Sequence, residues 1–229
     1  MFKVGIIGPG VVGKAIGAYY KKRNYEVVYF YEGSDKIREK YGLYFICVPT
    51  PEKNTDREIL NAMERLPDEA KVVIKSTLEP GTVKRLRVAY PHMKIIHSPE
   101  LLSEKTAEAD FENEVPINVG SEEGELIKLA TNWYYASKVV FFNHISDICE
   151  KRGLDYEAVR KHLVSNWRIA NSHSEIWHKG YRGYGGKCLK KDVKILKRYM
   201  KELGVEIETM EAMIRYNNKI KKDGDGNSN

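Results

Sequence analysis

Gly8-Pro9-Gly10-Val11-Val12-Gly13 narrows the possible folds of this chain more than any other stretch. It is a G-x-G-x-x-G set directly behind the apolar run Val4-Gly5-Ile6-Ile7 and in front of an amphipathic segment over residues 15–22. The first glycine permits a tight turn, the second lets backbone approach a pyrophosphate, and the third allows close helix–strand packing. The N-terminus of the following helix adds N–H donors and a positive dipole end. Gly8, Gly10, Val11, Val12 and Gly13 are therefore expected to cradle a dinucleotide. A second apolar run, residues 27–31, ends at Tyr31, eighteen residues after Gly13, and Glu32 follows. An acid at that strand end holds the adenine-ribose hydroxyls, so Glu32 is the candidate for that role. Its charge also repels the extra phosphate of NADP. Lys36 and Arg38 work against that repulsion, and on balance the sequence favours NAD.

The surrounding pattern agrees. Apolar runs recur at residues 44–48, 72–74 and 94–96, with 117–119 as a sixth, and amphipathic stretches over 59–66 and 83–90 lie between them. Strand–helix alternation of this kind means βαβ units, right-handed crossovers and a mostly parallel sheet. From Glu122 the period changes. Leu126, Leu129, Ala130, Trp133, Ala136, Val140 and Ile145 recur at helical spacing and predict one long helix to about Lys151. A short helix over 156–164, an irregular glycine- and aromatic-rich stretch over 167–186, and helices over 189–203 and 207–222 follow. The expected organisation is an α/β, Rossmann-like, mostly parallel sheet domain over 1–120, followed by an all-helical extension over 121–222. Residues 223–229 have nothing to bury and are expected to be a disordered tail.

Composition removes several other classes. Three cysteines without short pairing argue against a disulfide framework, and a mean hydropathy of −0.51 with no long apolar run argues against a membrane span. The apolar stretch after Met1 is too short for a signal peptide, so a reduced, cytoplasmic chain is expected. The net charge is +6, but 38 Lys and Arg are interleaved with 32 acids, which leaves no concentrated basic face for nucleic acid. A mildly basic cleft for a phosphorylated or carboxylated small molecule accounts for the charge equally well. His97, His144, His173 and His178 show no metal-ligand spacing with the cysteines, so no metal is expected.

Five further segments occur in a fixed order. They are Phe45-Ile46-Cys47-Val48-Pro49-Thr50-Pro51, Lys75-Ser76-Thr77-Leu78-Glu79-Pro80-Gly81-Thr82, and Ser98-Pro99-Glu100-Leu101-Leu102-Ser103-Glu104. Then come Lys128-Leu129-Ala130-Thr131-Asn132 with Lys138 and Asn143, and finally Gly183-Tyr184-Gly185-Gly186-Lys187-Cys188-Leu189-Lys190-Lys191-Asp192. Together they resemble the UDP-glucose/GDP-mannose dehydrogenase family. The resemblance implies a two-step oxidation of a nucleotide-sugar C6 alcohol to a carboxylate, with two NAD per turnover. It implies that Cys188 forms a thiohemiacetal and then a thioester. Lys128 and Asn132 match the oxyanion-stabilising pair, Asp192 the catalytic aspartate, Thr77 and Glu104 the water-handling residues, and Glu100 a neighbouring acid. By the same resemblance Pro49, Thr50, Thr77 and Lys191 join the cofactor set. Glu100, Leu101, Leu102, Lys128, Asn132, Tyr184, Gly185 and Gly186 form the substrate set. A homodimer through the helical extension is also implied, and Ile207, Met210, Met213 and Ile214 offer an apolar stripe for it or for packing on their own domain.

Residue chemistry gives independent reasons for some of these roles. Lys128 and Asn132 are four apart on one helix and share a face, where a cation and an amide can both aim at a developing alkoxide. Cys188 lies in a first helical turn beside Lys187, Lys190 and Lys191, surroundings that favour thiolate, whereas Cys47 and Cys149 read as core thiols. Bland alternatives remain: Lys128 and Asn132 as a solvated face, Glu100 and Glu104 as surface acids, and Trp167, Trp177, Tyr181 and Tyr184 as loop anchors rather than a stacking surface.

The sequence also departs from the family. By the resemblance, its members continue into a second Rossmann-like domain that grips the nucleotide, so a second chain supplying that clamp, a different or smaller substrate, or loss of turnover is expected. Tyr31 replaces the ribose-binding aspartate, Ser103 an arginine, and His144 an acid. Lys187 and Lys190 replace the serine and proline that flank the cysteine. Two other functions stay open: a simpler NAD-dependent alcohol or hydroxy-acid dehydrogenase, and a non-catalytic NAD-binding or assembly subunit.

Overall fold

A computed structural model describes residues 2–33, 35–102, 105–113, 121–178 and 180–225. Glu104, Ser103, the expected strand at 117–119 and residues 226–229 lie outside the described residues. The chain divides into two compact units, Met1–Leu129 and Ala130–Asn229.

The first unit is built on five parallel strands: β1 (Lys3–Ile7), β2 (Glu26–Phe30), β3 (Leu43–Ile46), β4 (Lys71–Ile74) and β5 (Lys94–His97). They lie in the order β2-β1-β3-β4-β5, with Val4 level with both Val27 and Leu43. This order places a crevice outside the carboxyl end of β1, where the chain turns to opposite sides of the sheet. The central strands β1 and β3 are buried almost throughout, which is why they read as apolar runs, whereas the edge strands β2 and β5 keep exposed positions. Helix α1 (Val11–Lys21) covers one face through Ile16, against Val4, Ile6 and Phe45. Helices α2 (Arg57–Met63) and α3 (Thr82–Ala89) cover the other, where Ile59, Met63, Val83 and Leu86 meet Tyr44, Ile46, Val72 and Ile74. Helix α4 (Ala107–Asn113) was not expected from the sequence. It offers Phe111, which packs edge-on against Tyr19 of α1 with ring centroids 5.2 Å apart.

Helix α5 (Ser121–Arg152) runs through the division between the units. Beyond it, the second unit holds α6 (Tyr156–Ser165), α7 (Lys187–Glu202) and α8 (Glu208–Asp225). The stretch expected to be irregular contains a small antiparallel ribbon, β6 (Trp177–His178) with β7 (Tyr181–Arg182). Helix α8 continues to Asp225, three residues into the stretch expected to be a tail, whose remaining residues 226–229 lie outside the described ones.

Polar contacts fasten this unit internally. Lys138 donates to the carbonyls of Ile169 and Ala170, at 2.6 and 2.8 Å. Arg182 reaches Asp147 at 2.7 Å, and the Tyr216 hydroxyl donates to the other oxygen of that carboxylate. Asn217 is buried and pairs with both backbone groups of Tyr184, accepting its N–H at 2.7 Å and donating to its carbonyl at 3.1 Å. Met210 and Met213 are buried as well, so half of the apolar stripe on α8 is spent inside the unit. Large apolar side chains stay exposed on α5 instead, at Tyr134, Phe141 and Ile148, seven residues apart.

Replacing Asn217 by Ala leaves two buried backbone groups without partners. Each costs about 1–3 kcal/mol, so Asn217→Ala is expected to lower unfolding stability by about 2–4 kcal/mol in a denaturant titration. An unchanged midpoint would show that Asn217 does not anchor the Tyr184 segment.

Candidate functional site

In the first unit, a cleft of about 670 Å³ opens at the carboxyl ends of β1, β2 and β3. Gly8, Gly10, Glu32, Pro49 and Thr50 are among the residues lining it. Gly8 has φ +86, and a Cβ there would stand 2.8 Å from the Cys47 carbonyl oxygen. A Cβ on Gly13 would stand 2.6 Å from the Gly8 carbonyl oxygen. Gly10 is different, because a Cβ there meets nothing within 4 Å and its backbone faces open space. Gly10 caps α1, no side chain occupies that cap, and no acid sits in the first turn. The first-turn N–H groups are thus left for an anion from outside the helix. Val11 is exposed at the first helical position, while Val12 packs against the Val4–Ile16 core. Glu32 is exposed on the opposite wall, directly after β2. These residues fit a dinucleotide.

Val48 and Thr50, which line the cleft, are tied by hydrogen bonds to the segment after β4. The Thr50 hydroxyl donates to the Thr77 carbonyl at 2.8 Å, and the Ser76 hydroxyl donates to the Val48 carbonyl at 2.8 Å. Burial pushes the Cys47 thiol up to about 12, so it stays protonated and unreactive at neutral pH. His97, buried at the end of β5, lies 3.1 Å from the Ser76 carbonyl through Nε2. Burial lowers its pKa to about 4.

Glu100 and Lys128 are brought together in the same unit. The Lys128 ammonium is buried and donates to the Glu100 carbonyl at 2.6 Å, with the Glu100 carboxylate at 3.3 Å. The other carboxylate oxygen of Glu100 accepts the Leu102 N–H at 2.7 Å, and Leu101 is exposed. An ammonium has three N–H bonds, and among the described residues two groups of Glu100 engage it.

In the second unit, Asn132 donates through Nδ2 to Asp192 at 2.5 Å. Lys191 places Nζ 2.7 Å from the other oxygen of the same carboxylate, which is wholly buried. Cys188 is exposed in the first turn of α7, one turn before Asp192 on the same helix. Gly186 caps that helix at φ +69, and a Cβ on Gly185 would collide with the Tyr181 hydroxyl. Tyr184 is buried and held by Asn217, the arrangement of a loop anchor. His144 stacks on Tyr216 with ring centroids 3.7 Å apart. Among the described residues, no three His, Cys, Asp or Glu side chains gather as a metal site, and no helix is long and apolar enough to cross a membrane.

Sequence reasoning missed Glu125. It is wholly buried, and its carboxylate accepts the N–H groups of Gly81 at 2.6 Å and Val83 at 2.8 Å. It also missed the Asp147–Arg182–Tyr216 cluster. Neither carries a local signal, because the partners lie 35 or more residues away.

Glycine cradle, open helix N-terminus and acid-lined wall define a dinucleotide-binding α/β protein. Residues 30–138 match the NAD binding domain of the UDP-glucose/GDP-mannose dehydrogenase family, and residues 122–219 match that family's central domain. The chain belongs to this family, and its cofactor is NAD. It is 29% identical to UDP-glucose 6-dehydrogenase YwqF of Bacillus subtilis, over 77% of this chain and 48% of that protein. The chain thus spans about half the length of the curated relatives it matches. Among solved structures, it is similar to a UDP-glucose dehydrogenase from Pyrobaculum islandicum, with TM-score 0.80 and 20% identity. That match covers 96% of this chain and 68% of the archaeal one. The fold is also that of 3-hydroxyisobutyrate dehydrogenase from Mycobacterium tuberculosis, with TM-score 0.75, 12% identity, and coverage of 98% of this chain and 95% of that one.

Two glycine substitutions separate cradle from fold. Gly10→Val is expected to unfold at the wild-type temperature while NAD binding is lost in calorimetric titration, because the new side chain fills open space. Gly13→Ala forces Cβ against backbone and is expected to cost about 1–3 kcal/mol in stability. Full NAD binding by Gly10→Val would refute the cradle.

His97 gives a pH prediction. It is neutral when folded, whereas the unfolded imidazole protonates below about 6.5. Protons therefore favour the unfolded chain, and the His97 contribution to stability is complete above pH 6.5 and lost as pH falls towards 4. Stability measured from pH 7 to 4 should fall less steeply in His97→Asn than in wild type. Parallel slopes would show that His97 titrates normally.

Proposed function

We propose that the chain oxidises the C6 alcohol of a nucleotide sugar of the UDP-glucose type to the carboxylate, through a covalent intermediate on Cys188. The observation that carries the reading is the α7 terminus, an exposed thiol one turn ahead of a buried carboxylate held by Asn132 and Lys191. When bound, NAD supplies the hydride acceptor, and two are consumed per carboxylate formed.

The remaining chemistry falls to side chains of this chain. As the C6 carbon loses its first hydride, its hydroxyl proton must leave, and the Lys128 ammonium stabilises the oxygen as negative charge grows on it. The Cys188 sulfur then adds to the aldehyde carbon, a C–S bond forms, and the oxygen gains a proton to give a thiohemiacetal. Loss of a second hydride from that carbon and of the hydroxyl proton leaves a thioester. Water adds to the thioester carbon, the C–S bond breaks, and carboxylate and thiol are released. Asn132 is one turn beyond Lys128 on α5, where its second amide N–H supports the same oxyanion role. Asp192 fixes the Asn132 amide and, one helical turn after Cys188 on α7, is the carboxylate that this reading assigns to proton movement. Thr77 and Glu104 complete the reading as the water-handling residues.

An alkylating reagent at pH 7 should modify Cys188 well before Cys149, which is buried, or Cys47, whose thiol stays protonated. NAD should change the Cys188 rate. Cys188→Ser should keep NAD binding and lose carboxylate formation from UDP-glucose, because a serine ester is harder to form and to hydrolyse here. Equal labelling of all three cysteines, or carboxylate formed by the serine variant at the wild-type rate, would overturn the proposal.

A further inference from the structure

Glu125 has no place in the chemistry above, yet among the described residues it is the most thoroughly buried acid in the first unit, with no exposed surface. It lies on α5, three residues before Lys128, and both of its carboxylate oxygens point at backbone. One accepts the N–H of Gly81, the other the N–H of Val83. Those two groups belong to the start of α3, whose capping residue, Gly81, has φ +88 and no side chain to offer. A helix start needs acceptors for its first N–H groups, and here a carboxylate 42 and 44 residues away supplies them.

The turn secured in this way continues into the cofactor cleft. Thr82 closes back on the Glu79 carbonyl through both its N–H, at 3.1 Å, and its hydroxyl, at 2.6 Å. Two residues before Glu79, the Thr77 carbonyl accepts the hydroxyl of Thr50, and Thr50 lines the cleft. The strand order fixes which half of the cofactor lies there. Glu32, after β2, takes the adenine ribose, and the glycines after β1 take the pyrophosphate. The segments after β3 and β4, with Thr50 and Thr77, then fall under the nicotinamide half.

We propose that Glu125 is a positioning residue that caps α3 from α5 and thereby holds the Thr77–Thr50 wall in register with the nicotinamide half of bound NAD. The proposal rests on NAD occupying this cleft and is independent of the cysteine chemistry and of the sugar. An amide in place of the carboxylate would turn an NH2 group towards one of the two backbone donors and break the cap.

Calorimetric titrations of wild type and Glu125→Gln with NAD and with ADP test it. ADP fills only the adenosine and pyrophosphate half, so its affinity should be unchanged in the variant, while NAD affinity falls about tenfold, the equivalent of about 1.4 kcal/mol. A merely structural loss would weaken both ligands alike, and that result, or wild-type affinity for both, overturns the proposal. The wild-type protein supplies a second reading if the variant fails to fold. The Gly81 and Val83 amides should exchange with deuterium far more slowly than the first-turn amides of α1, which have no side-chain cap. Equal exchange rates would show that Glu125 does not cap the helix.

Discussion

The first unit depends on two backbone approaches. The Gly13 α-carbon faces the Gly8 carbonyl, and the Gly8 α-carbon faces the Cys47 carbonyl, each too closely for a side chain. The first approach fixes how α1 leaves β1, and the second fixes the gap between β1 and β3. With both satisfied, the N-terminus of α1 opens into the crevice and Gly10 presents bare backbone to it. Cleft volume, the exposure of Glu32 and the path of the Pro49–Thr50 wall follow from that arrangement.

Buried charge is handled by a different rule in each place. Taking an ion out of water is expensive unless it is paired or hydrogen-bonded. Lys128 meets this with Glu100, Asp192 with Lys191 and Asn132, and Glu125 with two backbone N–H groups. The Glu125 arrangement does not cancel its desolvation fully, and burial raises its pKa to about 7. Helix α5 carries Glu125 and Lys128 where it belongs to the first unit and Asn132 where it belongs to the second. Their order along α5 is visible in the sequence, but their partners are not.

Much of the fold was legible because it is written in local period. The five strands of the parallel sheet coincide with apolar runs to within two residues, and the long helix announces itself through Leu129, Trp133, Ala136 and Val140. Helix α4 was missed because its sequence, Ala-Glu-Ala-Asp-Phe-Glu-Asn, has a single large apolar residue, and the packing of Phe111 on Tyr19 decides the matter. The β6–β7 ribbon was missed because two residues per strand carry no alternation. At the site, the glycines were readable since their roles are local. Motif order gave the likeness that makes Lys128, Asn132, Cys188 and Asp192 candidates, while the pairing of Asn132 with Asp192 spans 60 residues and emerges only from the folded chain.

Two oxidations at one carbon distinguish this account from every simpler dehydrogenase on the same fold. A single hydride transfer, with Cys188 idle, would use the same cleft and the same Lys128–Asn132 helix face. The direct measurement is the ratio of NADH formed to UDP-glucose consumed, followed to completion by absorbance and by chromatography of the sugar. Two NADH per sugar, with the C6 carboxylate as product, is the predicted result. One NADH per sugar, with the aldehyde or another two-electron product accumulating, would contradict it.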